Sequence, residues 1–468
     1  MPLADETKES AQARWTRPFK PKGGPRYIQI ADMISESIQS GSLQSGDQVP
    51  PQRTLAAQLG VDLTTVTRAY AEARNRGLIA SYSGRGSFVT GVSEPGDEVR
   101  IDLTMNIPPQ PANGSMTELV GKGLDDVLRR NRIEALSTYQ DEPTTRSALQ
   151  AAQGWLNPAL GDLDTRALSV CSGSQAAIFA ILASCAKPGE TLLCDPLTYP
   201  GLLLAARQLG LRVLAVEGDA DGMRPDALER AQQQSGARLV YLNPTFNNPT
   251  AHTMPIGRRQ QIATTVLRLD LTLIEDDPYR YLLDDAPAAI ATLTGGANTF
   301  YLASLSKCLW PSLRTSFVLP PRGDTGERLQ SGLRAASMGC SALLLGLVEH
   351  WIRSGTAKQL VQEIQREARA RQQLARSLLT APVQAHPCGI HLWLPLPAHW
   401  NQNLFTHALD ELGVNVASAD SFSVAPQTQD AVRVSLGGPA DQASLGSALR
   451  KIDALLKEDR RRSSRAFV

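Results

Sequence analysis

Six cysteines and six histidines are all that 468 residues offer toward cross-links or metal centres. The cysteines, Cys171, Cys185, Cys194, Cys308, Cys340 and Cys388, are dispersed with no CxxC spacing. That pattern excludes the dense disulfide framework of a small secreted scaffold and a zinc site built on thiol pairs, and it predicts reduced thiols. Long hydrophobic runs are missing as well: no stretch approaches the ~18 consecutive apolar residues of a membrane helix. So is an excess of one charge. With 47 Lys and Arg against 46 Asp and Glu, any basic surface must be local. Met1 to Ser10 is polar and acidic, unlike a secretory leader. These absences predict a cytoplasmic protein with no membrane association and no metal. What is there is ordinary globular material, 42% hydrophobic and 20% charged, long enough for two or three domains.

Residues 1–24 read as a flexible leader ending in Lys20, Lys22 and Gly24. From Tyr27, apolar residues recur at Ile30, Ile34 and Ile38, the four-residue step of an amphipathic helix. Gly41 ends it. A second helix, over about Gln52–Leu59, buries Leu55 and Leu59. A third, over about Leu63–Arg76, turns Val66, Tyr70 and Ala73 inward and stops at Gly77. Leu78–Tyr82 and Ser87–Val89 read as a hairpin around Ser83, Gly84, Arg85 and Gly86. Through Gly91, eleven Lys and Arg stand against eight Asp and Glu, and most of the acids lie outside the second and third helices. Thr64 and Thr65 open the third helix, where backbone amides and hydroxyls can meet phosphates and base edges.

Three helices followed by a hairpin wing match a winged helix-turn-helix. Residues 25–91 resemble the GntR group of bacterial transcription regulators almost end to end. The resemblance runs through Tyr27–Ala31, Gly46-Asp47, Pro50–Ala56, Leu59–Val61, Thr64–Val66, Arg68–Tyr70, Gly77–Ile79 and Gly84–Val89. It implies double-stranded promoter DNA as a partner, contacted by Arg53, Thr64, Thr65, Arg68 and the wing residue Gly86. There is one departure. The group often carries Arg just before the two threonines, and here Leu63 stands there, so the operator sequence does not carry over.

Residues 92–100 are polar with Pro95 and Gly96, a short linker. Beyond it, apolar strands recur, each followed by a polar turn: Leu168–Cys171 before Ser174 and Gln175, Thr191–Cys194 before Tyr199, Leu239–Leu242 before Asn248, Leu271–Ile274 before Asp276 and Tyr279, and Phe300–Leu302 before Lys307. Polar residues past the carboxyl ends of strands are where open α/β sheets place ligands. The last of these turns is chemically specific. A lysine just past a strand end can form an imine with an aldehyde. Ser304 and Ser306 before it and Arg314 after it can hold a phosphate. Aldehyde plus phosphate describes pyridoxal 5'-phosphate, which proteins bind as a lysine Schiff base with an acidic partner on the ring nitrogen.

Over about 101–455 the chain resembles the fold-type I pyridoxal phosphate enzymes, the aspartate aminotransferase superfamily. The resemblance implies an α/β large domain with a small C-terminal α/β subdomain over roughly 330–455. It assigns the imine to Lys307 and the ring nitrogen to Asp276. Tyr279 and Asn248 go to the ring hydroxyl, and Tyr199 to the ring face. The phosphate falls to Ser174, Gln175, Ser304 and Arg314, with Ser306 a further candidate. Tyr139 resembles a tyrosine that crosses from the neighbouring subunit of a homodimer to the phosphate. Arg433, within Val432–Ser435, resembles the arginine that grips a substrate carboxylate by a bidentate pair; read on its own it is a strand-edge arginine. Asn248–Ala251 departs from the family by carrying Ala251 where glycine is usual. His386–His391 reads as a structural strand of the small subdomain, and residues 456–468 as a solvated basic tail.

A winged helix-turn-helix (α+β) ahead of an aminotransferase-like domain is the arrangement of the MocR subgroup of GntR regulators. It implies a dimeric, pyridoxal-phosphate-dependent transcription regulator that senses a small amino compound by aldimine exchange at Lys307. Two other readings stay open: an active aminotransferase, and a regulator responding to pyridoxal phosphate itself.

Overall fold

The computed structural model describes residues 24–40, 46–76, 78–82, 86–89, 100–111, 116–130, 142–323, 325–425 and 430–458, together with Phe19, Ser42, Leu43 and Leu136. Most of the expected leader, the linker through residue 99, Tyr139 and the basic tail from residue 459 lie outside them. The chain divides into two compact units, Met1–Val99 and Arg100–Val468. Among the described residues no single helix is long and apolar enough to cross a membrane.

In the smaller unit α1 (Arg26–Gln39), α2 (Gln52–Leu59) and α3 (Leu63–Asn75) pack around Ile30, Ile34, Leu55, Val66, Ala69, Tyr70 and Ala73, all buried. The i, i+4 spacing of Ile30/Ile34 and Val66/Tyr70 puts each pair on one helix face. Gly60, at φ +59°, closes α2 in the left-handed conformation that glycine adopts freely. Tyr70 donates its hydroxyl proton to the Pro50 carbonyl at 2.5 Å, and Arg76 ties α3 to α1 through Asp32 at 2.6 Å. A three-stranded antiparallel sheet follows, β1 (Gln48–Val49), β2 (Ile79–Tyr82) and β3 (Gly86–Val89), in the order β1-β3-β2. Gly86 starts β3 at φ +105°, and a Cβ there would meet the Gln48 amide at 2.6 Å, so the wing needs glycine at this place.

The larger unit opens with the short β4 (Ile101–Asp102) and is built on a seven-stranded sheet. Its strands are β5 (Ser169–Cys171), β6 (Thr191–Cys194), β7 (Arg212–Ala215), β10 (Leu239–Leu242), β11 (Thr272–Asp276), β12 (Thr299–Ser304) and β13 (Ser316–Leu319). The two-residue β8 (Gly218–Asp219) and β9 (Gly222–Met223) form a side hairpin. The order is β5-β13-β12-β11-β10-β6-β7, and β13 runs antiparallel to both its neighbours while the rest run parallel. Helices cover the sheet, so β5, β6, β10, β12 and β13 are buried along their whole length, and their sequences are apolar apart from Ser or Thr at strand ends rather than alternating. β5, β6, β10, β11 and β12 end at the same edge, and the turn after each faces a common space.

A second sheet, β14 (Gln384–Ala385), β15 (His391–Pro395), β17 (Ala417–Ser418) and β18 (Ala431–Ser435), is antiparallel in the order β14-β15-β18-β17. It packs with helices Gln402–Glu411 and Gln442–Lys457 around Leu392, Leu394, Val432, Val434, Phe405 and Leu449. β4 joins this region by pairing in parallel with β16 (Val414–Asn415). Two expectations are corrected. His386–Ile390 is a turn between β14 and β15, and only His391 belongs to a strand. Strand β11 extends through Asp276, so that residue is held by sheet hydrogen bonds instead of lying in the following turn.

Candidate cofactor site and nucleic-acid surface

A cavity of about 500 Å³ opens where the strand ends converge. Ser174, Gln175, Tyr199, Asn248, Asp276, Tyr279, Ser304, Ser306, Lys307, Arg314 and Arg433 all line it. Every site residue expected from the sequence of the larger unit is thus brought together, except Tyr139, which lies outside the described residues. Larger surface hollows of about 650 and 700 Å³ lie elsewhere, and neither gathers this set.

Strand geometry sorts three consecutive acids. Successive side chains of a strand point to opposite faces, so Glu275 and Asp276 part company. Glu275 turns away and accepts the amides of Ile290 and Ala291 at 2.9 and 2.8 Å. Asp276 turns toward the cavity, where its Oδ2 accepts the Tyr241 hydroxyl at 2.7 Å. Asp277, beyond the strand end, accepts from Arg280 and Tyr301, each at 3.4 Å. Burial pushes the Asp276 carboxyl up to about 7, partly offset by the Tyr241 hydrogen bond. Lys307 sits three residues past the end of β12, and its Nζ donates to the Asn106 carbonyl at 2.5 Å. Burial, with Arg433 second, holds its ammonium down to about 8, so a usable fraction is free amine near neutral pH.

At one end of the cavity, Ser174 and Gln175 form the first turn of helix Ser174–Cys185, whose N-terminal amides favour an anion. Gly173 precedes them at φ +90°, and a Cβ there would press on the Arg314 guanidinium at 3.1 Å. Ser304 Oγ accepts the Ser306 amide at 3.2 Å. At the other end, Arg433 Nη1 donates to Asn248 Oδ1 at 2.6 Å, Nη2 donates to the Thr104 carbonyl, and the guanidinium lies 4.8 Å from the Phe422 ring centroid. Its hydrogen-bond partners are thus neutral groups, and burial lowers its guanidinium to about 10. Of the side chains that line this cavity, three buried polar atoms lack a hydrogen-bond partner among the described residues: Asp276 Oδ1, Gln175 Oε1 and Arg433 Nε. Buried polar atoms are rarely left so. A protonated ring nitrogen suits Asp276 Oδ1, a carboxylate on an adduct suits Arg433 Nε, and the helix N-terminus with Arg314 suits a phosphate, so the residues fit pyridoxal phosphate.

Sequence reasoning missed part of the site. Tyr241, Asn243 and Asn106 line the cavity, and His391 lies fully buried behind it, against Asn106 at 2.9 Å. Asn243 follows a strand end and could have been found by that signal. His391 could not, since its partner is 285 residues away. Ala251, standing where the family has glycine, adopts φ +60°, a left-handed conformation that costs a residue with a Cβ about 1–2 kcal/mol.

In the smaller unit Arg53, Thr64 and Arg68 are exposed and Thr65 is half-buried. Thr64 and Arg68, four residues apart, share the outer face of α3, opposite the buried Val66 and Tyr70. The Arg68 guanidinium lies 4.2 Å from the Tyr27 ring centroid, which steadies it at the surface. Gly86 is exposed at the start of the wing, and Leu63 leaves 42% of its surface open just before the threonines.

Fold and site together define a winged helix-turn-helix unit followed by a fold-type I aminotransferase unit. The chain belongs to the aminotransferase class I and II family, whose sequence model matches residues 98–452, while residues 26–89 match the bacterial regulatory proteins of the gntR family. It is similar to YdeF of Bacillus subtilis, an uncharacterised HTH-type transcriptional regulator, at 28% identity over 93% of this chain and 95% of that one. It is also similar to PtsJ of Salmonella typhimurium, the vitamin B6 salvage pathway transcriptional repressor, at 28% identity over 86% and 92%. A 2-aminoadipate transaminase of Thermus thermophilus is 26% identical over 62% of this chain and 75% of its own length. Among solved structures, LysN of Thermus thermophilus, an alpha-aminoadipate aminotransferase, gives a TM-score of 0.70 at 21% identity, covering 77% of this chain and 92% of that one. The arrangement is that of the MocR subgroup: a transcription regulator with an aminotransferase-like domain, a family that implies pyridoxal phosphate as cofactor.

Proposed function

We propose that this regulator binds promoter DNA as a cytoplasmic homodimer through Arg53, Thr64, Thr65, Arg68 and Gly86. We further propose that it carries pyridoxal phosphate on Lys307 and changes DNA affinity when a small amino compound takes the place of that lysine. When bound, the cofactor supplies an aldehyde carbon for imine exchange and a ring that withdraws electrons. The chain's own residues divide the remaining work. Lys307, held at about 8, offers an unprotonated amine. Asp276, when ionised, keeps a ring nitrogen protonated. Tyr279 and Asn248 face the ring hydroxyl, Tyr199 covers the ring, and Ser174, Gln175, Ser304, Ser306 and Arg314 take the phosphate. Arg433 is left for the effector's carboxylate. The observation that carries the effector reading is Arg433 itself: a buried cation with neutral partners and an orphaned Nε, in the same cavity as Lys307. Unpaired buried cations are costly, and an entering carboxylate relieves that cost.

One experiment tests both halves. Purified protein is titrated with amino acids and amines while its visible absorption and its promoter affinity are followed together, with Lys307→Ala and Arg433→Ala alongside. Wild type should show an imine band that Lys307→Ala abolishes, and a subset of compounds should move both band and affinity. Arg433→Ala should load cofactor but respond weakly to carboxylate effectors. A band that no amino compound perturbs, or a perturbation without a change in DNA affinity, defeats the effector reading. The likeness to PtsJ, named for vitamin B6 salvage, favours cofactor alone as signal in that case, seen as a DNA-affinity change on adding pyridoxal phosphate. The likeness to a transaminase makes keto-acid formation the readout for turnover.

A further inference from the structure

Behind the cavity, four side chains form a closed hydrogen-bonded set whose proton directions are fixed by chemistry. Asn106 Nδ2 lies 3.0 Å from Tyr279 Oη and 2.9 Å from His391 Nδ1; His391 Nε2 lies 3.1 Å from the Asn247 carbonyl, and Ser435 Oγ lies 3.1 Å from Asn106 Oδ1. A carbonyl oxygen only accepts, so His391 carries its proton on Nε2 and Nδ1 is an acceptor. The group facing Nδ1 must then be the Asn106 NH2, which settles the amide's orientation and directs its second hydrogen to Tyr279 Oη. With the acceptor side of Oη engaged by a donor, the Tyr279 proton cannot go to Asn106 and is left to donate elsewhere.

We infer that Asn106 and His391 are positioning residues that hold Tyr279 as a hydrogen-bond donor toward the cofactor's ring oxygen, and so set the basicity of the Lys307 Schiff base. The inference rests on the proposed cofactor reading. The charges around the set agree with it. Burial, aided by Arg433 and Lys307, presses the His391 imidazole down to about 3, so it stays neutral and keeps Nδ1 as an acceptor at any working pH. Burial likewise pushes the Tyr279 hydroxyl up to about 12, so its proton is retained. The charged and titratable groups facing Tyr279 are Arg433, Asp276 and Tyr199, with the neutral His391 ring 5.7 Å away by centroid; those facing Lys307 are Arg433, Asp276 and Arg314. None of them competes for the Asn106 amide. A donor to the ring oxygen stabilises its negative charge most when the neighbouring imine is unprotonated. Losing that donor therefore raises the imine pKa.

The test is a spectrophotometric pH titration of the imine band in the cofactor-loaded full chain. Tyr279→Phe should raise the apparent pKa, and His391→Leu should raise it by about half to one pH unit, the size of one ordinary hydrogen bond. Asn106→Ala, which removes the same contact from the other side, should do likewise and serves if His391→Leu does not fold. His391→Gln, whose amide oxygen can accept from Asn106, should return the pKa to near the wild-type value. Adding His391→Leu to Tyr279→Phe should produce no further shift. An unmoved pKa in both His391→Leu and Asn106→Ala, or a full additional shift in the double variant, overturns the inference. No imine band in the wild-type protein defeats the cofactor reading instead.

Discussion

Replacing Asp276 by Asn should act in opposite directions on the empty and the loaded protein. Asp276 ends β11 inside the larger unit, 5% exposed, with Oδ2 bonded to Tyr241 and Oδ1 unpartnered among the described residues. Its carboxyl loses its proton at about 7 in place of the usual 3.8. At 1.36 kcal/mol per pKa unit, holding it ionised in cofactor-free protein costs on the order of 4 kcal/mol, an upper figure because local relaxation softens it. The folded-state pKa is raised, so the stabilising contribution is complete below pH ~3.8 and is lost as pH climbs through about 7. Asn has the same shape, carries no charge and can still accept from Tyr241. Cofactor-free Asp276→Asn should therefore match wild type near pH 4 and exceed it by about 1–3 kcal/mol at pH 8. Asp195 and Glu275 are also pushed up to about 7 by burial, so the variant keeps a falling slope, shallower by one proton. Five of the six tryptophans, Trp155, Trp310, Trp351, Trp393 and Trp400, lie in this unit, which makes urea unfolding followed by tryptophan fluorescence a direct assay. With cofactor added the sign reverses, because the ring nitrogen loses a charged partner worth about 1.5–3 kcal/mol, or roughly 10- to 150-fold in affinity. A variant that is less stable than wild type at pH 8 without cofactor, or equally stabilised at all pH values, refutes the reasoning.

On promoter DNA, Arg68→Ala and Arg53→Ala should each weaken binding by about 1 kcal/mol or more and flatten the salt dependence, leaving the visible spectrum unchanged; binding isotherms at three salt concentrations check this. Gly437→Ala should lose cofactor affinity and at least 2 kcal/mol of stability, since its Cβ would sit 1.8 Å from the Ile107 carbonyl and 2.9 Å from Pro109 N. Thermal unfolding with and without cofactor separates the two losses.

The large sheet was legible because its strands are sealed by helices. Leu239–Leu242 and Phe300–Leu302 are apolar at every position, and a polar turn after each run marks the carboxyl end of a strand. The winged helix was legible through its helical period and the glycines that stop it. What could not be read was whatever depends on the second sheet closing over the first. His391 opens β15 and looked structural because nothing local tells an inward histidine at a cavity wall from one in a plain core. Tyr241 sat unremarked inside an apolar run, although its hydroxyl is the hydrogen-bond partner of Asp276. Arg433 was found only through a short motif, and the Phe422 ring beneath it came from a turn that carries no signal of its own. The Arg68–Tyr27 stack likewise joins residues 41 positions apart across two helices.

The strand β4 has a mechanical meaning. Ile101 donates to the Gly413 carbonyl and Leu103 to the Asn415 carbonyl, both at 2.8 Å, Ser435 donates to the Leu103 carbonyl at 3.0 Å, and Arg100 pairs with Asp410 at 3.2 Å. The first residues of the larger unit are therefore a strap moored to β16 and β18 of the C-terminal region, and among the described residues β4 pairs with no strand of the seven-stranded sheet. A few residues further along, the same strap is knotted to the cavity, with Arg433 on the Thr104 carbonyl and Lys307 on the Asn106 carbonyl. A ligand that claims either cation unties a knot in the strap, and any tilt of the C-terminal sheet carries the mooring point with it.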